Sequence, residues 1–171
     1  MIGKIAGGIL ILAAGGYLGV ILSSSYRRRE RGIASLVYAL RVMKTEIGFC
    51  ESYVADIFHE LSGRVSGEVG RIFARAEILA REGGKTAECV QRAIGESAEA
   101  LCLHPEEIRI MTEFASQLGL SDRKRQLENI DKTILLLEEE LGRAHEETAR
   151  SAKMRQTFCL LGAALTVVLL L

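Results

Sequence analysis

Three histidines are the residues of this chain whose chemistry could support catalysis or metal binding. His59, His104 and His145 are far apart in the sequence, and none has a partner at catalytic or metal-ligand spacing. A di-iron helical bundle would need a Glu-x-x-His unit, but Gly142 stands three residues before His145. The pattern therefore predicts no catalytic residue and no metal site.

A second candidate is the stretch Gly83-Gly84-Lys85-Thr86, which looks at first like a phosphate-binding loop. A P-loop needs another glycine where Leu79 stands, and it needs a preceding strand. We interpret the stretch as a turn between two helices. The Glu138-Glu139-Glu140 run is interpreted as a solvated helix face. These patterns predict that the chain is not an enzyme and has neither a cofactor nor a small-molecule substrate.

The composition predicts an all-α protein. The 171 residues include one Pro and no Trp, and they contain no runs of alternating Val, Ile and Thr that would be typical of strands. All 22 acidic residues lie between Glu30 and Glu147, while seven of the 22 basic residues flank that stretch, which leaves the middle with a net charge of −7. An acidic middle argues against a nucleic-acid partner.

Both ends of the chain carry uncharged runs. Residues 5–22 contain no charge and are followed by Arg27-Arg28-Arg29 and Arg31, which predicts a transmembrane anchor over residues 1–25. Signal-peptide cleavage near Ser23–Ser25 stays open as an alternative, although a signal peptide usually carries its basic residues before the apolar run. A second segment, residues 157–171, spans only about 21 Å from Phe158 onward, against roughly 30 Å of hydrocarbon, so it needs a thinned bilayer or a partner.

The basic residues on the inner side of both runs orient the chain. The positive-inside rule predicts a cytoplasmic middle and two external termini. In the first anchor, Gly3, Gly7, Gly15 and Gly19 form a small-residue stripe that predicts close helix packing in lipid. The alternative is that glycine is simply common in membrane helices.

The middle, residues 26–156, shows the 3–4 spacing of amphipathic helices. Apolar seams predict a first helix over 33–47 and further helices near 53–61, 69–81, from Thr86 to about His104, from Pro105 to Leu118 and from Ser121 onward. Each is too short to be stable alone. The predicted architecture is an all-α cytoplasmic bundle of about six helices between an N-terminal and a C-terminal transmembrane helix.

One sequence motif is more distinctive than the rest of the chain: LGLSDRKRQ, from Leu118 to Gln126. Its Leu-Gly, Ser-Asp and Gln spacing, together with Thr45-Glu46-Ile47 and the two apolar ends, resembles the stage III sporulation protein AB family of endospore-forming bacteria. The sequence departs from that family's pattern at Ser52-Tyr53-Val54, where Thr-Pro-Leu is frequent, and at Val90, where a Trp is frequent.

The resemblance implies a function because that family is similar to F-type platform proteins of type II secretion and type IV pilus systems. It implies a non-enzymatic membrane subunit of a trans-envelope apparatus, in the mother-cell membrane facing the forespore. The implied partners are a secretion-type ATPase, other membrane subunits of the same apparatus, and membrane lipid. A membrane-anchored regulator or assembly factor that binds a single soluble partner stays open as an alternative.

The same stretch supplies the candidate partner-binding residues Gly119, Asp122, Arg123 and Gln126. A structural interpretation is also sufficient, because Gly119 could end one helix and Ser121 or Asp122 could begin the next. The charge of Arg123 has no evident use in such a cap. We therefore expect Asp122 to be a helix-start residue and Arg123 to contact a partner.

Overall fold

The computed structural model describes the backbone of residues 2–49, 54–120 and 122–170, and the side chains of residues 24–48, 54, 56–120, 122–154 and 157. Within these ranges the chain forms six α-helices and no strand. The helices are α1 (Ile2–Phe49), α2 (Val54–Arg64), α3 (Gly67–Arg81), α4 (Thr86–Leu101), α5 (Pro105–Gln117) and α6 (Arg123–Leu170).

The two long helices, α1 and α6, pack against each other in antiparallel orientation. Residues near the middle of α1 meet residues near the middle of α6, as Glu30 and His145 do at 2.8 Å. Residues late in α1 meet residues early in α6, as Lys44 and Asp131 do at 2.6 Å. This pair forms the long axis of the bundle, and the charge-free runs of the sequence continue α1 and α6 at the same end of it.

The four short helices pack in chain order on one side of the long pair, and the turns between them have recognisable local causes. Gly83 ends α3 with a φ of +90°, which a residue without a Cβ adopts at little cost. Pro105 is the first residue of α5, where its missing N–H would have had no helical partner. Cys102 ends α4 in the left-handed region, with a φ of 57°.

One hydrophobic core joins all six helices, and the predicted seams supply most of it. In α5 the prediction is partly wrong, because Ile110 is buried while Ile108 is only half-buried. Phe58 and Phe73 lie with ring centroids 6.1 Å apart. The largest fully buried side chains are Phe58, Phe73, Phe114, Ile33, Leu36, Leu40, Met43, Leu61, Ile72, Ile94, Met111 and Ile130.

The all-helical fold is confirmed for the described residues. The two predicted membrane segments, 1–25 and 157–171, fall almost entirely on residues whose side chains lie outside the described set. Within the residues that the structure describes, no helix carries an apolar stretch sufficient to cross a bilayer. The helices α1 and α6 run without a break across the proposed domain boundaries at 25/26 and 156/157, which stay predictions.

Candidate functional site

The segment that carries the family resemblance forms the connection between α5 and α6, and we call residues 118–120 and 122–126 the distal turn. Leu118 is buried with φ −69° and ψ 123°, and Gly119 follows with a φ of +81°. The Leu120 N–H donates to the Gln117 carbonyl at 3.4 Å. This is a type II turn, whose third residue requires positive φ, so Gly119 has a conformational role.

Arg123 connects the distal turn to the end of α1. Its Nε donates to the Ile47 carbonyl at 2.7 Å, and its Nη2 donates to the Gly48 carbonyl. Carbonyls in the last turn of a helix lack a partner within that helix, and the partial charge there is negative. A guanidinium satisfies both needs. Arg123 therefore caps the end of α1, a structural role that its position at the start of α6 did not suggest. Contact of Arg123 with a partner stays a prediction.

Asp122 immediately precedes α6, and Gln126 lies in its first turn. The Gln126 N–H donates to the Asp122 carbonyl at 3.0 Å, so Asp122 stands at the helix start as expected. Its carboxylate lies 3.4 Å from Nε of Arg125, and both side chains are exposed. Partner binding by Gly119, Asp122 and Gln126 also stays a prediction.

The outward surface of the distal turn includes residues that the sequence did not single out. Leu120 is 80% exposed, the largest exposed fraction among the large hydrophobic side chains that the structure describes. Lys124 and Arg125 are exposed beside it. The surface thus combines one apolar side chain with charges of both signs, which suits a protein partner better than a small-molecule ligand.

The opposite end of the described bundle contains a largely buried charge cluster, which we call the proximal cluster: Arg29, Glu107, Glu140 and Glu147, of which Glu147 is 43% exposed. Nε of Arg29 donates to Glu107 Oε1 at 3.1 Å, its Nη1 to Glu147 Oε2 at 2.7 Å and its Nη2 to Glu140 Oε2 at 3.3 Å. Arg29 is 3% exposed and Glu107 is fully buried. One guanidinium therefore joins α1, α5 and α6.

The electrostatics of the proximal cluster keep Arg29 charged. Burial disfavours its charged form, but the hydrogen bond to Glu107 and the charges of Glu107, Glu147 and Glu140 outweigh burial, so the pKa of Arg29 is raised. Arg143 adds a second cation, at 2.5 Å from Glu140 Oε1. Glu107 also accepts the backbone N–H of His104 at the start of α5. With its polar groups paired in this way, the cluster can fasten helices together.

The proximal cluster corrects one sequence-based interpretation. Glu140 was interpreted as part of a solvated face, which is wrong because its side chain is 7% exposed, against 66% for Glu139. Glu140 lies three residues after Leu137 and four before Ala144, on the seam that faces the core. Arg29 likewise lies four residues before Ile33 on the seam of α1. Position on the seam was the signal that could have identified both.

The three histidines do not come together. His59 lies 3.2 Å from Glu77, His145 bonds to Glu30, and His104 precedes α5. In the part of the chain that the structure describes, no group of three His, Cys, Asp or Glu side chains could hold a metal ion. The stripe of Gly3, Gly7, Gly15 and Gly19 lies outside the residues whose surroundings are described.

Comparison with known proteins decides the family. The family model described as stage III sporulation protein AB matches residues 4–171. The chain belongs to the stage III sporulation protein AB family. A curated relative, stage III sporulation protein AB of Bacillus subtilis (strain 168), is 22% identical over 169 residues, covering 98% of this chain and 99% of the relative.

A solved structure of a stage III sporulation protein AB supports the same fold. It superimposes with a TM-score of 0.66 at 20% identity, covering 71% of this chain and 97% of the solved chain. Membership of the family confirms the resemblance derived from the distal turn and relates the chain to sporulation. It is a sporulation family and not a known enzyme family.

Proposed function

We propose that the chain is a non-enzymatic membrane subunit of a secretion-like apparatus needed for endospore formation. In this proposal both uncharged ends are transmembrane segments, and the bundle faces the cytoplasm of the mother cell. The bundle holds a secretion-type ATPase and other membrane subunits of the apparatus together. The proposal rests on family membership and on the geometry of the long helix pair.

The observation that carries the proposal is the distance between the two ends of that pair. The charge-free runs continue α1 and α6 at one end, while the distal turn packs on Ile47 and Gly48 at the other end of α1. From Ser24 to Ile47, α1 extends about 35 Å at the rise of an α-helix. A membrane-anchored chain would therefore present the distal turn well away from the bilayer, within reach of a cytoplasmic partner.

The experiment that tests the proposal is purification of the tagged full chain from sporulating cells in a mild detergent. We expect a large complex that contains a secretion-type ATPase and further membrane proteins. A one-to-one complex with a single soluble protein would instead favour the regulator or assembly factor. Absence of an ATPase from every complex would contradict the proposed platform role.

The proposed topology has its own test, which uses cysteines introduced into a chain whose native cysteines are replaced. A cysteine at Glu96, which is exposed on α4, should be labelled by a membrane-impermeant reagent only after the cells are opened. Labelling of this position in intact cells would contradict a cytoplasmic bundle.

A further inference from the structure

The lysines and arginines of the described residues fall into two groups. Away from the end of the long helix pair where the charge-free runs begin, nearly all of them form an ion pair or bind backbone carbonyls. Arg41, for example, pairs with Glu138, and Arg123 binds carbonyls of α1. Near the end where the charge-free runs begin, five exposed cations have no carboxylate within ion-pair distance among the described residues. We call them the cationic belt: Arg27, Arg28, Arg31, Arg150 and Lys153. Arg92 on α4 is the other described cation without such a partner.

The belt is formed by two helices that run in opposite directions. Its first three members lie near the middle of α1 and the other two near the middle of α6, and antiparallel pairing brings these segments to the same level. The exposed carboxylate nearest in sequence on α6 is Glu146, four residues before Arg150, and no ion pair joins the two. The carboxylates of Glu30 and Glu147 are already engaged, by His145 and Arg29.

Two belt residues line a defined groove. Arg27 and Arg31, one helical turn apart, lie on the α1 wall of an open groove of about 750 Å³ between α1 and α6. The α6 wall supplies Leu141, Gly142 and His145. Two carboxylates also line the groove: Glu30, which is hydrogen-bonded to His145, and Glu138, which pairs with Arg41. Among the described residues Arg27 and Arg31 form no ion pair within contact distance, although the charge of Arg31 acts on the nearby Glu30 carboxylate. The groove therefore offers two exposed cations beside a partly apolar surface.

We propose that the cationic belt binds the headgroups of anionic phospholipids, with Arg27 and Arg31 holding a headgroup phosphate at the mouth of the groove. The inference rests on the membrane attachment in the proposed function. Exposed cations beside a bilayer gain free energy from anionic lipid, roughly 1 kcal/mol each, and arginine can bind a phosphate in bidentate geometry. A cation that is already paired with a carboxylate is less available to a lipid phosphate. This explains why the cations lack carboxylate partners where the lipid surface would lie.

The experiment reconstitutes the full chain in vesicles of phosphatidylcholine, with and without phosphatidylglycerol, and measures by native mass spectrometry which lipids stay bound. We expect the parent chain to enrich phosphatidylglycerol. Arg27→Gln/Arg31→Gln should lower that enrichment about tenfold or more, and Arg150→Gln/Lys153→Gln should lower it less. A matched control is Arg71→Gln/Arg92→Gln, which removes two exposed cations of the bundle far from the belt and should leave the enrichment unchanged.

Three outcomes would overturn the inference. The first is equal enrichment by the parent and Arg27→Gln/Arg31→Gln. The second is an equal loss in the matched control, which would indicate general charge attraction. The third is loss of enrichment on adding inorganic phosphate, but not chloride of the same ionic strength, which would indicate a site for free anions. A parent chain that fails to float with phosphatidylcholine vesicles would instead contradict the membrane attachment in the proposed function.

Discussion

The two ends of the α1–α6 pair are held together by different interactions. At the proximal cluster a buried guanidinium binds the carboxylates of side chains on two other helices, α5 and α6. At the distal turn the Arg123 guanidinium binds backbone carbonyls of α1, and Leu120, Asp122, Lys124 and Arg125 are exposed. The first arrangement uses its charged side chains for cohesion. The second leaves Leu120, Asp122, Lys124 and Arg125 available for contact.

This difference bears on function. If the chain is anchored in a membrane as we propose, its helices would have to stay in register where they leave the bilayer, and a charge network that spans three helices would serve this purpose. Partner contacts need exposed side chains on a rigid frame, and the type II turn at Gly119 with the Arg123 cap provides such a frame. Under the proposed function, we therefore attribute stability to the proximal cluster and propose partner contact at the distal turn.

The largest expected effect comes from breaking the proximal cluster. Arg29→Met should destabilise the full chain in detergent by about 3–5 kcal/mol, because Glu107 and Glu140 would be left buried without the Arg29 guanidinium. Chemical denaturation followed by circular dichroism measures the change. Arg29→Met/Glu107→Met should recover part of the loss, since it removes both partners of one pair. A single variant as stable as the parent would show that the cluster does not fasten the bundle.

A smaller loss is expected at the distal turn. Arg123→Ala removes two charge-assisted hydrogen bonds to backbone carbonyls and should cost about 2 kcal/mol. Arg125→Ala is the matched control, because its side chain is 79% exposed and pairs with the exposed Asp122 at 3.4 Å; it should cost less than about 0.5 kcal/mol. An equal loss of unfolding free energy in the two variants would mean that the cap on α1 does not contribute to stability.

These two sites also mark how far the sequence could predict the fold. Seam periodicity predicted the core positions of α1, α4 and α6, and the Leu-Gly step predicted the turn at Gly119. Arg29 and Glu140 lie on those same seams, but their charges suggested a basic flank and a solvated face. The contact of Arg123 with Ile47 joins residues 76 positions apart, so only the folded chain could reveal it.

A third effect sharpens the helix-start assignment of Asp122. Asp122→Ala removes a negative charge from the positive end of the α6 dipole and an exposed ion pair with Arg125. The expected cost is about 0.5–1 kcal/mol in the same denaturation assay. Asp122→Asn should lose less, since it retains a side-chain oxygen that can cap. If the alanine variant is as stable as the parent, Asp122 has no structural role at the start of α6, and partner contact remains as its proposed role.

The smallest effect concerns pH. The hydrogen bond with His145 lowers the pKa of Glu30 below its usual value, so Glu30 stabilises the fold above pH of about 4.5. This contribution disappears as the pH falls through the lowered pKa. Glu30→Gln should therefore differ from the parent by at most about 0.5 kcal/mol near neutral pH, and the difference should vanish in acid. A difference that grows on acidification would contradict the assignment.

The most direct test of the central claim compares two exposed apolar residues, Leu120 on the distal turn and Ile78 on α3. Leu120→Asp and Ile78→Asp are introduced separately into the tagged full chain, and each is assayed for melting temperature and for recovery of the secretion-type ATPase from sporulating cells. The account predicts that both variants melt within a few degrees of the parent, and that only Leu120→Asp loses the ATPase. Full recovery of the ATPase with Leu120→Asp, or its loss with Ile78→Asp alone, would contradict the assignment of partner contact to the distal turn.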